Sequence, residues 1–230
     1  MPSVSRRVQA LVEMLPVCDT VADIGCDHGY AGLYMLQQNR CKKVLACDIS
    51  EPSLQKARAL FDACGWTGRV RTYCCDGLQC AGDAQAALIA GMGGQTIVRM
   101  LQREDACARA MRCLVLQPST GAPELRAFLA RAGFAVQQER ILCDMGRYYV
   151  AMAVRAGVPY ELTHLQRELG VLLTQAPDET ALCYARWRLC VLDRALCTPA
   201  HGVRGQQNQQ AMRRTREAIA QWLKGWEGQA

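Results

Sequence analysis

The chain has 230 residues, of which 50% are apolar and 21% charged, with a formal net charge of +6. That length supports one sizeable core and a small appendage but not two full domains. No run approaches the roughly 20 consecutive apolar residues of a membrane helix, and the start lacks a signal peptide's basic-then-apolar order, so the chain reads as soluble and cytoplasmic. Its 14 cysteines are scattered through predicted strands and helices, which favours reduced thiols packed as small hydrophobes over disulfides. Cys74-Cys75 is the only close pair, no C-x-x-C occurs, and His28, His164 and His201 lie far apart. No metal site is expected from that spacing. Arginine supplies 23 of the 27 basic residues. Guanidinium groups grip phosphates bidentately and make RNA a candidate partner, although an arginine-rich compositional habit explains the same count.

A leading helix is predicted over Ser5 to Leu15. Short apolar runs then alternate with amphipathic stretches of helix length, the signature of parallel strands joined by crossover helices. The strands are Thr20 to Ile24, Lys43 to Cys47, Val70 to Cys74, Ala87 to Ala90 and Cys113 to Leu116. The helices are Gly29 to Gln38, Glu51 to Cys64, Gln95 to Gln102 and Ala122 to Ala132. Next come two strand-like runs, Phe134 to Cys143 and Arg147 to Arg155, separated only by Asp144-Met145-Gly146. That gap fits a tight turn and no crossover helix, so these two strands must be antiparallel. Doubly wound dinucleotide-binding sheets usually stay parallel to the end, whereas a class I methyltransferase sheet closes with a reversed strand.

After Ala156-Gly157-Val158-Pro159 the strand pattern stops. Residues 161–173 and 178–197 read as helices, the second with Leu182, Ala185, Leu189, Leu192 and Leu196 at three-to-four spacing. A third, from about Gln206 to Trp226, follows a Gly- and Gln-rich connection and carries Arg213, Arg214 and Arg216. The expected architecture is α/β, with a domain over 1–157 and a C-terminal α-helical hairpin, coiled-coil-like, over 158–230.

The chemistry-bearing stretch is Asp23-Ile24-Gly25-Cys26-Asp27-His28-Gly29-Tyr30, where the first strand turns into its helix. Gly25 lets backbone approach a ligand and Gly29 opens the helix, so the turn points amides and a positive helix end into a crevice. A dinucleotide loop would read G-x-G-x-x-G, but Asp27 occupies its middle-glycine position, where it would repel a pyrophosphate and suit a cationic sulfonium. Asp48 ends the second strand 25 residues after Asp23 and offers a carboxylate to ribose hydroxyls. Asp76-Gly77 after the third strand adds an acceptor suited to an adenine amino group. Singly, each Asp also reads as a cap or turn residue; jointly they converge on the edge where open α/β sheets bind ligands. The loop Ala90-Gly91-Met92-Gly93-Gly94 reads either as a close-approach loop or as a plain strand-to-helix turn. Gln117 and Ser119 put an amide and a hydroxyl at the same edge, and the amide both donates and accepts, as recognition of a base edge requires.

These motifs resemble those of the bacterial TrmK family. V-A-D-I-G-C-D-H-G-Y, C-D-G-L at Cys75 to Leu78, I-A-G-M-G-G at Ile89 to Gly94 and L-Q-P at Leu116 to Pro118 occur in that family's order and spacing. The resemblance spans nearly the whole chain and is strongest from Ser5 to Tyr149. It implies a Rossmann-like class I methyltransferase domain, a helical coiled-coil domain, S-adenosyl-L-methionine as cofactor and adenine 22 of tRNA, methylated at N1, as target. It further implies cofactor contacts at Asp23, Gly25, Cys26, Asp27, Gly29, Asp48, Asp76, Gly77 and Gly91, with Ile49 and Leu78 as apolar walls. Asp27, His28, Tyr30 and Gln117 would meet the target base. Two departures stand out: Ala31-Gly32 where the family usually has Leu-Pro, and Ser119, shorter in reach than the common Asn.

The implied reaction is an in-line displacement by a ring nitrogen, which needs alignment and a proton acceptor but no enzyme nucleophile. Asp27 is the candidate for electrostatic support. His28 reads either as a proton shuttle or as a hydrogen-bonded turn residue, and Tyr30 either stacks on the base or packs on the sheet. Because N1 lies on the Watson-Crick edge, the adenine must be exposed by extrusion or local melting. The Asn/Asp-Pro-Pro-Tyr of exocyclic-amine methylases is absent, as is the Pro-Cys of cytosine C5 methylases. Two rivals remain, a small-molecule methyltransferase and a non-catalytic RNA-binding protein with a vestigial cofactor fold. No metal, membrane or obligate protein partner is expected.

Overall fold

The computed structural model describes residues 4–199 and 202–227. The chain divides into two compact units, one ending at Tyr160 and one beginning at Glu161. Helix α1 (Arg6–Glu13) starts at Ser5, whose side chain accepts from the Val8 amide. Strand β1 (Cys18–Ile24) follows, then α2 (Tyr30–Gln37), β2 (Cys41–Asp48), α3 (Glu51–Ala63), a 3₁₀ turn and β3 (Val70–Cys74). Ser50 caps α3 through the Ser53 amide, with Glu51 and Pro52 in the first turn, a favourable helix start. The remainder of the unit is β4 (Ala86–Gly93), α4 (Gly94–Arg103), α5 (Asp105–Ala110), β5 (Cys113–Thr120), α6 (Ala122–Ala132), β6 (Phe134–Asp144) and β7 (Arg147–Ala156).

The seven strands form one sheet in the order β3-β2-β1-β4-β5-β7-β6. The pairs from β3 to β5 are parallel. Strand β7 runs antiparallel to β6, as the short gap between the last two strands requires, and also to β5. Their turn is Met145-Gly146, both at positive φ, the conformation of a two-residue type I′ hairpin. One core cluster gathers Val21, Val44, Leu88 and Val115 from one face of the central strands and packs them against Leu33 of α2 and Phe61 of α3, among others. Only Cys18, Cys26, Cys41, Cys47 and Cys113 are buried, while Cys74, Cys143, Cys190 and Cys197 are exposed and all are free; packing as small hydrophobes thus holds for part of the set. On the far strands, Arg126 of α6 donates to Glu139 of β6 over 2.9 Å with both side chains buried.

The second unit contains α7 (His164–Leu169), α8 (Glu179–Leu196) and α9 (Gly202–Glu227). The helix expected over 161–173 is cut short at Gly170, whose φ of 128° a side-chain-bearing residue rarely adopts. Thr163 and Gln166 form a reciprocal capping box at its start. Helices α8 and α9 are an antiparallel pair: Arg216 donates to Asp193 and Gln209 to Thr198, so partners converge on the connection. Helix α9 starts at Gly202 rather than near the expected Gln206, so Gly202-Val203-Arg204-Gly205 is helical despite its two glycines. The buried stripe of α8 is Ala181, Tyr184, Ala185 and Leu192, with Leu182 and Leu189 only half-buried. Among the described residues no helix is long and apolar enough to cross a membrane, and no His, Cys, Asp and Glu group is placed to hold a metal; His201 lies outside them.

Candidate active site

The end of β1 is shaped by its neighbour. Gly25 and Cys26 donate to the Cys47 carbonyl of β2, at 2.8 and 3.1 Å, and Gly29 closes the turn onto the Cys26 carbonyl. Gly25, Asp27 and Gly29 all have positive φ, Asp27 at 47°. Gly25, at φ 70°, takes a conformation that side-chain-bearing residues rarely adopt, and a side chain there would push against the flexible end of Met92. Asp48 holds the loop by both carboxylate oxygens: Oδ2 accepts from the Asp27 amide at 3.0 Å and Oδ1 from the Ser50 amide at 2.9 Å. Asp23 is buried, and its Oδ2 accepts from the Gly32 amide at 3.0 Å. Burial pushes the Asp23 carboxyl up to about 7, against the pull of the Gly32 bond and with help from the Asp48 charge.

A cavity of about 600 Å³ opens on this turn, lined by Asp23, Gly25, Cys26, Asp27, His28 and Tyr30 from the β1 side and by Ala90, Gly91 and Met92 from β4. The β4–β5 register slips at Ala90/Met92, a bulge of the kind that re-aims backbone beside active sites. Gly91, at φ 77°, faces open space where a side chain would stand. Burial, reinforced by Asp23 and Asp48, holds the Cys26 thiol well above its ordinary range, so it stays protonated and is no nucleophile. Lys56 Nζ lies 3.1 Å from His28 Nε2. Ammonium only donates, so Nε2 accepts and the ring proton sits on Nδ1, which is 3.5 Å from Asp27 Oδ2. Tyr30 is 41% exposed and meets His28 edge-on, ring centroids 6.1 Å apart.

Other residues singled out from the sequence lie outside the cavity wall. Ile49 is 74% exposed and Leu78 1%. Asp76 pairs with Arg103 of α4 at 2.6 Å, and that hydrogen bond holds its carboxyl below the ordinary range. Gly77 packs against Arg103, Glu104 and Met100. Gln117 is fully buried; its Nε2 donates to the Pro118 carbonyl and its Oε1 accepts from Arg7 Nη1 at 2.7 Å. Helix α1 and the residues before it supply a further wall, with Val4, Ser5, Arg7, Val8 and Leu11. Sequence reasoning did not assign this wall; the pair of arginines opening the predicted first helix was the one available signal.

A reversed strand in an otherwise parallel sheet, and an acidic glycine turn facing a cavity between the tips of β1 and β4, are the features of a Rossmann-like class I methyltransferase. The acidic lining of Asp23 and Asp27, with Asp48 behind it, and the open space at Gly91 fit a ligand that carries positive charge. A family model described as a methyltransferase domain matches residues 4–152. The tRNA (adenine(22)-N(1))-methyltransferase of Bacillus subtilis (strain 168) is 30% identical over 188 residues, 80% of this chain and 79% of that protein. The crystal structure of the B. subtilis m1A22 tRNA methyltransferase TrmK aligns at TM-score 0.82 and 23% identity, covering 96% of this chain and 99% of that one. TrmK of M. capricolum, in complex with S-adenosyl-homocysteine, aligns at TM-score 0.82 and 22% identity over 94% and 98% of the two chains; at such identities the two structures speak for the fold. The chain belongs to the tRNA (adenine(22)-N(1))-methyltransferase family.

Proposed function

We propose that this chain is a cytoplasmic enzyme that uses S-adenosyl-L-methionine to methylate N1 of adenine 22 in tRNA. The observation that carries the reading is the acidic turn Asp23 to Asp27, braced by Asp48 and opening on a cavity beside Gly91, in a chain of this family. When bound, S-adenosyl-L-methionine supplies an electrophilic methyl group on a positively charged sulfur. Asp23, Gly25, Cys26 and Gly91, which line the cavity, would hold its charged end, with Gly29 closing the turn behind them; Asp48 and Asp76 would serve as acceptors and Ile49 and Leu78 as apolar contacts for a part of the cofactor that extends beyond that cavity.

The work of the chain is alignment and charge. Holding the attacking nitrogen in line removes several kcal/mol of barrier without any covalent step. The methylated ring is cationic until its exocyclic amine loses a proton, so a nearby carboxylate favours product formation. Asp27 is suited to that role, being 70% exposed at the mouth. His28 is less suited as the acceptor because Lys56 already donates to its Nε2, and we assign it to orienting Asp27. Tyr30 offers an exposed ring on which a base can stack, while Gln117, buried with its amide engaged by Pro118 and Arg7, is suited to positioning rather than to reading a base edge. In the helical unit Arg213 and Arg214 are exposed on α9 and suited to RNA phosphates. The transfer itself requires no metal and no second protein.

Nucleoside mass spectrometry of unmodified tRNA incubated with the protein and S-adenosyl-L-methionine tests donor, acceptor and modified atom together. The expected product is 1-methyladenosine, absent from a tRNA lacking adenine 22. Methylation elsewhere, or none, refutes the reading.

A further inference from the structure

Arg7 stands in the cavity wall and is held there from two sides. Its Nη1 donates to Gln117 Oε1 at 2.7 Å, and its guanidinium lies 4.9 Å from the centroid of the Tyr149 ring. The Gln117 amide cannot turn, because it is fully buried with Nε2 committed to the Pro118 carbonyl at 2.9 Å. Oε1 is therefore fixed towards Arg7. A guanidinium has five N–H donors in a planar fork, and the Gln117 bond engages Nη1 alone.

Charge on the wall is otherwise acidic. Asp23 and Asp27 line it, and Arg7 is the one Lys or Arg among the described lining residues. A wall built only for a positive sulfur has no use for a braced arginine; an arginine belongs where a negative group arrives as well. Bracing by a buried amide and an aromatic face also reduces the side-chain entropy lost when such a group docks.

Resting on the methyltransferase reading above, we propose that Arg7 is the oxyanion-receiving residue of the site, positioned by Gln117 and Tyr149. Two sources offer the same chemistry: the carboxylate at the amino-acid end of the methyl donor, and a backbone phosphate of the RNA beside the target base. Each presents paired oxygens that match the guanidinium fork.

The test uses the full chain and three probes: calorimetric titration with S-adenosylhomocysteine and with 5′-methylthioadenosine, which lacks the amino-acid end, and fluorescence anisotropy with labelled tRNA. If the carboxylate is the ligand, Arg7→Gln weakens S-adenosylhomocysteine by roughly 10- to 100-fold and leaves 5′-methylthioadenosine unchanged. If the phosphate is the ligand, tRNA binding weakens by a similar factor and both small molecules bind as before. Equal losses for the two small molecules, or no loss for any probe, overturn the proposal and leave Arg7 as a brace between α1 and β5. Should Arg7→Gln unfold, Arg7→Lys carries the test, since it keeps the charge but not the fork. It is expected to weaken the same probe several-fold, and unchanged binding of all three overturns the proposal. Wild-type protein that binds no S-adenosylhomocysteine refutes the functional reading instead, a separable outcome.

Discussion

Asp23 lies one residue inside the end of β1 and Asp76 two residues beyond the end of β3, and the two carboxyls are kept in opposite ways. Asp23 is buried against a backbone amide with no cation to neutralise it, and its proton is held up to about 7. Asp76 is 60% exposed and hydrogen-bonded to Arg103, which keeps it ionised. The same residue type near two strand ends of one sheet is thus a strained acid in one place and a relaxed surface ion in the other. Desolvation separates them. A carboxylate that is uncomfortable alone gains most when a cation arrives, so the β1 tip has the larger electrostatic reserve for a positively charged ligand.

Three substitutions bracket that contrast. The largest effect is expected at Glu139, which is as buried as Asp23 but has a cation, Arg126, at 2.9 Å. Glu139→Ala takes the facing carboxylate away from that buried guanidinium and is expected to remove about 3–5 kcal/mol of stability, read by urea denaturation. Asp23→Asn is expected to act in the reverse direction. The raised Asp23 carboxyl means that the native state holds a proton the unfolded chain releases, so wild-type stability falls as pH rises from 3.8 to about 7. Asn keeps an acceptor for Gly32 and carries no charge, so at pH 8 the variant should be more stable than wild type, on the order of a few kcal/mol. The gap should close below pH 4, and the variant should bind S-adenosylhomocysteine more weakly. Equal unfolding midpoints at pH 8 would show that burial does not strain Asp23. The smallest stability effect is expected for Asp76→Ala, whose exposed ion pair contributes little. Its unfolding midpoint should match wild type while cofactor affinity drops roughly tenfold; undiminished affinity would remove Asp76 from the site.

The sheet was legible because its signals are local. Alternation of strand and helix patterns located all seven strands, and the gap at Asp144-Met145-Gly146 announced the reversed one. The β1 turn was equally readable, since Gly25, Asp27 and Gly29 lie within five positions and their spacing forces the loop. What stayed hidden depends on distant pairing. Arg7 meets Gln117 across 110 residues, and Asp76 meets Arg103 across 27, separations at which periodicity carries no information. Short helix α5 lacks a full amphipathic repeat. The first turn of α9 looks like a linker because Gly202 and Gly205 are poor helix formers.

The place of β7 has a consequence for synthesis. The chain emits β6 before the strand that must lie between it and β5, so the backbone donors and acceptors on the side of Leu114 to Leu116 that faces away from β4 have no partner until Met152 to Val154 emerge. Until then the growing sheet ends in an open, wholly apolar border, a template for any stray extended segment. Rapid closure of the Met145-Gly146 reverse turn shortens that interval. Slowing it, by a residue at 146 that resists positive φ, would expose nascent chains to misassociation well before catalysis was affected.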